Sequence, residues 1–373
     1  MHSRRIAIIH AFSRANAGDG LLVDLTYEAL QDAGVRREEC VLLALDPESF
    51  ADIPDVLRAP GEPAARPSLK LLDAGAQAIA SLAGFDSPRR MLRDVDALVA
   101  VGGGYLVADS PVRQAGIVAN HLAQLRAAAT HPSPTIYLPQ SIGPLHGIAG
   151  RWTRDALARM DRVWARDDET MRELALPNVA RCPDLAVMKL ARSLAGIERV
   201  ASVEAPVLVA RDLPDCGDYY QRLAQLDAQL EDARWAVQAD TPGPRSDQAF
   251  YRRLGFGEAP SLERRLAQPS GPVVSVRLHG AIGALLAGRP AIHLAYERKG
   301  WGAYEDLGLT EFVHDARRFD PALVARQVRA LARDPEPYWK QVEAAQGALS
   351  DAWQAMVDDM AARIPATRQK AAA

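Results

Sequence analysis

The chain has 373 residues, of which 48% are hydrophobic and 24% charged. This balance lies near the average of globular proteins and excludes disordered, collagen-like and coiled-coil classes. Lys and Arg number 44 against 47 Asp and Glu, a net charge of -3, so no overall positive field would gather nucleic acid, and no nucleic-acid partner is expected.

The cysteines Cys40, Cys182 and Cys216 lie far apart and show no CxxC or Cys/His spacing. They predict neither a disulfide framework nor a metal site, and they favour a reducing, cytoplasmic location. The first apolar run is short and is interrupted by His10, which is typical of a strand rather than of a signal peptide. No apolar stretch approaches the ~18 residues of a spanning helix, which leaves peripheral association at the inner face of the cytoplasmic membrane as an open expectation.

In the first half of the chain, short apolar runs alternate with segments of helical period, which is typical of a parallel sheet with crossover helices. The runs are apolar throughout, so helices are expected to cover both faces of the sheet. The predicted helices span 19–33, 69–82, 112–128 and 151–160, and a Pro-rich loop is predicted over 46–67.

The alternation restarts near Ala201 and predicts a second sheet, and from Asp320 the chain becomes helical, over 319–334 and 337–364. The predicted fold class is therefore α/β, with two Rossmann-like domains facing each other across a cleft and with C-terminal helices. The expected domains are an N-terminal one over 1–195, a C-terminal, donor-binding one over 196–334, and a helical extension over 335–373. In such sheets ligands bind at the carboxyl ends of the strands.

The turn after the first strand contains Asn16, Gly18 and Asp19 and leads into a helix. Backbone N–H groups at a helix N-terminus, with a glycine that allows close approach, suit a phosphate or a carboxylate. An equally good interpretation makes Asp19 an ordinary helix N-cap. The turn lacks the GxGxxG spacing of a dinucleotide site.

Two further loops follow predicted strands of the first sheet. Gly103 and Gly104 belong to a glycine triplet, which indicates that the backbone approaches either a ligand or a neighbouring element closely. Gln140 ends the next strand and could bind a sugar hydroxyl, although a structured loop explains it as well.

The segment VVSVRLHGAIGALLAG holds the strongest combination of residues. Arg277 and His279 leave an apolar strand, and Gly280 opens a helix of small residues. A guanidinium, an imidazole and a helix N-terminus each favour an anion. In the alternative interpretation Arg277 pairs with an internal carboxylate and His279 caps the helix.

Two more cations follow strands of the second predicted sheet. Arg211 ends one strand, and Lys299 lies in a loop after another, near Tyr296. Arg211 would face the same ligand as Arg277 if their strands are neighbours, whereas a solvated surface position explains Arg211 and Lys299 equally well. In the first domain Arg166, Asp167 and Asp184 are expected to form a structural network.

The order and spacing of these motifs resemble those of the polysaccharide pyruvyl transferases, between Arg4 and Gly308. Nothing in 241–268 or in the C-terminal helices matches that pattern. The motifs that carry the resemblance are NAGD (16–19), VGGG (101–104), PQSIGPL (139–145), ARDDET (165–170), CPDLA (182–186), RLHGAI (277–282) and the pair Tyr296 and Lys299.

The resemblance implies a two-domain fold of the GT-B type and transfer of pyruvate from phosphoenolpyruvate onto two hydroxyls of a sugar, free or lipid-linked, as a cyclic ketal. Arg277 with Arg211 or Lys299 would bind the carboxylate and the phosphate of the donor, and His279 would be a general acid or base. Asn16, Gly18, Asp19, Gly103, Gly104, Gln140 and Gly280 would complete the substrate-binding site. No metal or other cofactor is expected, and the oligomeric state is left open.

Two other functions fit the same residues. A GT-B glycosyltransferase would hold a nucleotide diphosphate with these cations and would need a ribose-binding carboxylate, for which Glu305 is the candidate. A non-catalytic glycan or anion sensor would keep the binding residues without turnover. Release of phosphate, release of UDP, or binding without either product separates the three.

Overall fold

The fold is described from a computed structural model, over residues 4–59, 87–199, 204–213, 216–230, 232–240 and 246–366. The predicted helix over 69–82 lies outside these residues. The chain divides into two compact units. The first unit comprises Met1–Arg14, Asp19–Leu185 and Trp353–Ala373, and the second comprises Ala15–Gly18 and Ala186–Ala352. The domain boundaries expected at residues 195 and 334 stay predictions.

The first unit contains a parallel sheet whose strands follow the order β3-β2-β1-β4-β6-β7-β8, with β5 paired to β6. Its strands are β1 (Ile6–Ala11), β2 (Cys40–Ala44), β3 (Val56–Arg58), β4 (Ala97–Ala100), β5 (Gly103–Ala108), β6 (Thr135–Leu145), β7 (Arg162–Ala165) and β8 (Val179–Arg181). Every residue of β1, β2 and β4 is buried, as expected for strands covered on both faces.

The second unit contains a five-stranded parallel sheet in the order β10-β9-β11-β12-β13. Its strands are β9 (Val207–Val209), β10 (Arg234–Trp235), β11 (Val273–Ser275), β12 (Ala291–Ala295) and β13 (Val313–Asp315). The two parallel sheets confirm the predicted α/β class.

The helices of the described residues lie mainly between consecutive strands and at the carboxyl end of the chain. In chain order they are α1 (Ala17–Asp32), α2 (Ser87–Met91), α3 (Pro111–Asn120), α4 (Leu122–Ala129), α5 (Gly147–Leu157), α6 (Asp168–Leu174), α7 (Leu185–Ser193), α8 (Tyr219–Gln229), α9 (Asp247–Leu254), α10 (Leu262–Leu266), α11 (Leu278–Leu286), α12 (Arg298–Asp306), α13 (Pro321–Arg333) and α14 (Glu336–Arg363). None of the described helices is both long enough and apolar enough to cross a membrane.

Several features of the first unit differ from the sequence-based expectation. Gly103 and Gly104 lie in the strand β5 rather than in a loop, and β6 continues past Gln140 to Leu145. The predicted helix over 112–128 is two helices, α3 and α4, which meet at His121. The predicted loop over 46–67 contains the strand β3, and β8 was also not foreseen. Both strands have three residues, which is too short for a periodic pattern to appear in the sequence.

The expected structural network of the first unit is confirmed. Arg166 and Asp184 form an ion pair at 2.5 Å, and each side chain is 2% exposed. Asp167 caps α6 by accepting a hydrogen bond from the backbone N–H of Thr170 at 2.8 Å. A buried pair satisfied in this way fixes the loop after β7.

A histidine pair is buried at the centre of the first unit. His10 and His121 face each other with 3.2 Å between their Nδ1 atoms, and the Nε2 of His10 lies 2.7 Å from the hydroxyl of Tyr137. The backbone N–H of His10 donates to the Gln124 side chain at 2.9 Å. Burial lowers the pKa of both imidazoles, that of His121 to about 4. The pair is therefore neutral at neutral pH.

Candidate functional site

The candidate site lies at the carboxyl edge of the second sheet. The strands β9 and β11 are neighbours, with Val209 opposite Ser275, so Arg211 and Arg277 each stand two residues beyond a matched position. Lys299 follows β12, which is the next strand, and is the second residue of α12 rather than part of a loop as predicted. Because the strands are parallel, their carboxyl ends meet at one edge. We call Arg211, Arg277, His279 and Lys299 the cationic edge.

Tyr296 organises two of these cations. The guanidinium carbon of Arg211 lies 5.0 Å from the centroid of the Tyr296 ring, and the Nζ of Lys299 lies 6.0 Å from it. Arg211 also donates a hydrogen bond from Nη1 to the Tyr296 hydroxyl. Cations held at an aromatic ring in this way are positioned without being neutralised.

The two cations at Tyr296 differ in how far their charge is offset. Lys299 forms an ion pair with Glu297 at 2.8 Å. Among the described residues, no carboxylate pairs with Arg211, and its Nε–H is buried without an acceptor. A buried donor left unpaired is costly, and an anion at this position would satisfy it. Arg211 is therefore the cation of this edge best prepared for an anionic ligand.

Arg277 is engaged by an internal carboxylate, the alternative that the sequence left open. Its Nε donates to Asp247 at 2.8 Å, and its Nη2 donates to the second oxygen of the same carboxylate. The side chains are 11% and 0% exposed. Burial acts to lower the pKa of Arg277, and the adjacent Asp247 outweighs it, so that this pKa is raised. The donor-binding role of Arg277 stays a prediction.

Asp247 also ties down the segment next to the cationic edge. Its carboxylate accepts hydrogen bonds from the backbone N–H groups of Gln238 at 3.2 Å and Ala239 at 2.9 Å. It stands at the start of α9, after Ser246, which caps the helix. No motif marks Asp247 in the sequence, because it lies in the stretch 241–268, which matches none.

The turn of Asn16 to Gly18 lies against His279 within the second unit. Asn16 bridges to Ala239, and the N–H of Ala17 donates to the carbonyl of Gln238 at 3.3 Å. A Cβ at Gly18 would come within 2.7 Å of the Nδ1 of His279, so only glycine lets the turn approach this closely. The structure thus brings together two residues that the sequence predicted separately.

Asn16 and Gly280 have local structural contacts within the second unit. Asn16 accepts a hydrogen bond from the N–H of Gly18 at 3.2 Å. Asp19 belongs to the first unit, and it is the third residue of α1 rather than its N-cap, because the helix begins at Ala17. A Cβ at Gly280 would come within 2.7 Å of both Gln238 Oε1 and Ser275 Oγ. These contacts position the start of α11, and substrate binding by the same residues stays a prediction.

The predicted residues of the first unit are packed internally. Gln140 is fully buried and donates to the carbonyl of Val101 at 3.2 Å and to the Tyr105 hydroxyl at 2.8 Å. Gly103 begins β5, and a Cβ there would touch the Tyr105 ring at 3.0 Å, while Gly104 follows in the same strand. Their role in substrate binding stays a prediction.

His293 lies in β12, opposite Ser275 of the strand that leads to Arg277, and the sequence did not identify it as part of this region. It is 2% exposed, and its Nδ1–H donates to the carbonyl of Ser275 at 2.8 Å. A Cβ at Gly300 would collide with its Nε2. Burial lowers the pKa of His293 to about 4, and the nearby charge of Lys299 acts in the same direction. In the sequence His293 lies within an apolar strand and resembles an ordinary core residue. The one sequence signal for its close packing is Gly300, whose lack of a side chain makes room for the imidazole.

We expect these buried histidines to make the protein labile in acid. His121 and His293 each have a folded-state pKa of about 4, against an ordinary value of about 6.5 in an unfolded chain. The unfolded state therefore binds more protons below this ordinary value, and stability falls as the pH drops from there towards 4. Each histidine should cost about 3 kcal/mol over this interval.

Urea unfolding at pH 7.5, 5.5 and 4.5 measures this loss. His293→Gln should flatten the dependence on pH, whereas His146→Gln, at an exposed position, should leave it unchanged. Equal stability of the wild type at pH 7.5 and 4.5 would contradict the prediction.

Comparisons with known proteins agree with this architecture. A family model described as Polysaccharide pyruvyl transferase matches residues 16–298. No curated protein sequence matches the chain. The solved structure of UDP-GlcNAc 2-epimerase from Neisseria meningitidis bound to UDP-GlcNAc has a TM-score of 0.52 at 12% identity, covering 96% of this chain and 99% of that one.

A second solved structure is equally similar. Anabaena Alr3699/HepE in complex with UDP-glucose has a TM-score of 0.52 at 13% identity, covering 97% of this chain and 98% of that one. At these identities the likeness shows the fold alone. The prediction of Rossmann-like domains of the GT-B class is confirmed.

Proposed function

Since the chain belongs to the polysaccharide pyruvyl transferase family, we propose that it moves the pyruvate moiety of phosphoenolpyruvate onto two hydroxyls of a sugar and forms a cyclic ketal. The acceptor is a cell-surface polysaccharide or its precursor, free or lipid-linked, and the protein works in the cytoplasm, in peripheral association with the inner face of the cytoplasmic membrane. The observation that carries the proposal is Arg211, a cation with no carboxylate partner among the described residues and a buried, unsatisfied Nε–H.

The donor carries a carboxylate and a phosphate, and the cationic edge supplies groups for both. The guanidinium of Arg211 suits a forked contact with one anion, and the ammonium of Lys299, near the same ring, suits the other. The ion pair with Glu297 offsets the charge of Lys299 only in part. Lys299 can therefore exchange Glu297 for an anionic group of the donor when the donor binds. Because Arg277 is paired with Asp247, we give it a supporting position in this scheme, and its direct contact with the donor stays a prediction.

The reaction balances without a redox partner or a further cofactor. One sugar hydroxyl adds to C2 of the donor, while the methylene carbon accepts a proton and becomes a methyl group. The bond from C2 to the phosphate oxygen then breaks, and the second hydroxyl adds to C2. The two hydroxyls release two protons. One replaces the proton that the methylene carbon takes up, and the other is carried away by the released phosphate. His279 is the group we assign to these proton transfers.

A donor screen tests the proposal. Phosphoenolpyruvate and a panel of sugars should yield inorganic phosphate and an acceptor heavier by ~70 Da, as the chemistry of a pyruvate ketal requires. UDP release from UDP-glucose would instead indicate a glycosyltransferase, and saturable binding without either product would indicate a sensor. Either result would overturn the proposed reaction.

Arg211→Ala should raise the KM for the donor at least tenfold, because a charge-assisted contact made in both ground and transition states is lost. Arg211→Lys should recover only part of this, since an ammonium cannot fork onto an anion. The melting temperature should change little, because no buried carboxylate loses its partner. Arg326→Ala, at an exposed position on α13, is the control, and a donor KM equal to that of wild type would remove Arg211 from the site.

A further inference from the structure

The helices α3 and α5 expose three large apolar side chains near their starts, Val112, Ile148 and Trp152, which we call the apolar patch. Their exposed fractions are 78%, 55% and 37%. The two helices pack against each other, and a Cβ at Gly147 would collide with the Gln114 side chain, which marks where the helix starts meet. Large exposed apolar side chains that cluster in this way indicate an interaction surface.

The exposed face of α5 continues the patch along the helix. Ile148, Arg151, Trp152 and Asp155 are spaced by three or four residues, so they share one face, and all are exposed. Arg159 extends this face just beyond the helix end. The buried residues of α5 lie on the other side of the helix, which packs against β5 and β6. The helix therefore presents arginine and apolar side chains to solvent together.

The arginines beside the patch give it a local positive charge. Arg126 and Arg159 line a groove of about 250 Å³ between α4 and α5, together with Trp152 and Asp155. In the part of the chain that the structure describes, Arg126, Arg151 and Arg159 form no ion pair. Asp155 is the acidic residue among them, in a chain whose net charge is -3. The positive charge here is a local departure from the average of the molecule.

We propose that the apolar patch and its arginines dock the first unit on a membrane surface that contains anionic phospholipids. Apolar side chains that enter the head-group region, flanked by cations that attract acidic head groups, are the two components of interfacial membrane binding. Trp152 suits this role because the indole ring favours the boundary between water and lipid. This inference rests on the peripheral membrane association proposed above and assigns that association to the apolar patch. It does not depend on which donor the protein uses.

Cosedimentation of the full chain with vesicles tests the docking face. The protein should bind vesicles of phosphatidylcholine and phosphatidylglycerol but bind pure phosphatidylcholine weakly, and added salt should weaken the binding. Trp152→Ala and the double variant Arg151→Glu, Arg159→Glu should each lower the partition coefficient about tenfold or more. Trp301→Ala and Arg326→Glu are matched controls, since Trp301 is 38% exposed, and they should bind like wild type.

Three results would overturn the docking face. The first is that the wild type does not bind anionic vesicles, and the second is that Trp152→Ala and Trp301→Ala lose vesicle binding equally. The third is a wild-type dimer in analytical ultracentrifugation that Trp152→Ala converts to monomer, which would assign the patch to self-association. Circular dichroism melting verifies that each variant is folded. Phosphate release from phosphoenolpyruvate with a soluble acceptor is measured in parallel, so a failure of docking is distinguished from a failure of the proposed reaction.

Discussion

His279→Asn should retain donor binding and lose about 10²-fold or more in kcat, the scale of removing a general acid or base. His279 is the second residue of α11 and lies against Gly18, at the edge where Arg211 and Lys299 also lie. Asparagine keeps a hydrogen-bonding side chain of similar reach but cannot exchange a proton with substrate. Steady-state kinetics with phosphoenolpyruvate, together with donor binding measured by calorimetry, separates the two effects.

A second variant tests the same role through position rather than chemistry. Gly18→Ala places a methyl group within 2.7 Å of His279 Nδ1, so the imidazole must shift. Because general acid and base catalysis depends on placement, we expect kcat to fall while the donor KM stays within severalfold. Gly34→Ala is a poor control because Gly34 has a positive φ, whereas Gly116→Ala, where a Cβ would meet nothing within 4 Å, is a suitable one.

The role of His279 would be contradicted by a turnover of His279→Asn within severalfold of wild type. An unchanged pH–rate profile in that variant would carry the same meaning, because a histidine that transfers protons should contribute a limb to the profile. In that case the residue serves only the start of α11.

The sequence predicted that Arg211, Arg277 and Lys299 lie at one edge of the second sheet, whereas their contact with a donor stays a prediction. Arg211, Arg277 and Lys299 each follow an apolar run of strand character, and parallel strands bring such positions to one edge. These three residues lie at the same edge because β9, β11 and β12 are neighbours in the sheet. The crossover helices between the strands made this strand order a reasonable expectation.

The parts of the site that the sequence did not predict depend on contacts between distant segments. Asp247 lies 30 residues from Arg277 in a stretch without a motif, and only the folded chain shows that the two side chains pair. The turn of Asn16 to Gly18 was expected in the N-terminal domain, yet it is grouped with the second unit through Gln238 and Ala239. Neither contact leaves a periodic signal in the sequence.

The ion pair of Arg277 also changes what its removal should do. From the sequence, a donor-binding arginine at a ligand edge would be lost with little effect on stability. In the structure, Arg277→Ala would leave the carboxylate of Asp247, which is 0% exposed, without its cation. An uncompensated buried charge costs about 3 to 5 kcal/mol, so we expect a large loss of stability in this variant.

A double-mutant cycle measures this pair directly. Arg277→Ala and Asp247→Asn should each destabilise the protein, and the double variant should be more stable than Arg277→Ala, with a coupling energy of about 2 kcal/mol or more. Arg253→Ala is the matched control, because Arg253 forms an ion pair with Asp212 at 2.6 Å and the Arg253 side chain is 53% exposed. A surface pair of this kind contributes about 1 kcal/mol or less to stability. Urea unfolding at pH 7.5 gives the four free energies of unfolding.

The double variant then separates support of the site from donor binding. In one case Arg277 acts by holding Asp247, and through it the backbone of Gln238 and Ala239. The folded double variant should then bind phosphoenolpyruvate with an affinity within severalfold of wild type. Its kcat should fall, because the neighbouring Asn16 turn and His279 are less firmly placed. If Arg277 contacts the donor, the same variant should lose donor affinity at least tenfold even though its stability is partly restored. Arg277→Ala with a free energy of unfolding within about 1 kcal/mol of wild type would show that Arg277 and Asp247 do not form this buried pair, because a buried carboxylate cannot lose its cation at so small a cost.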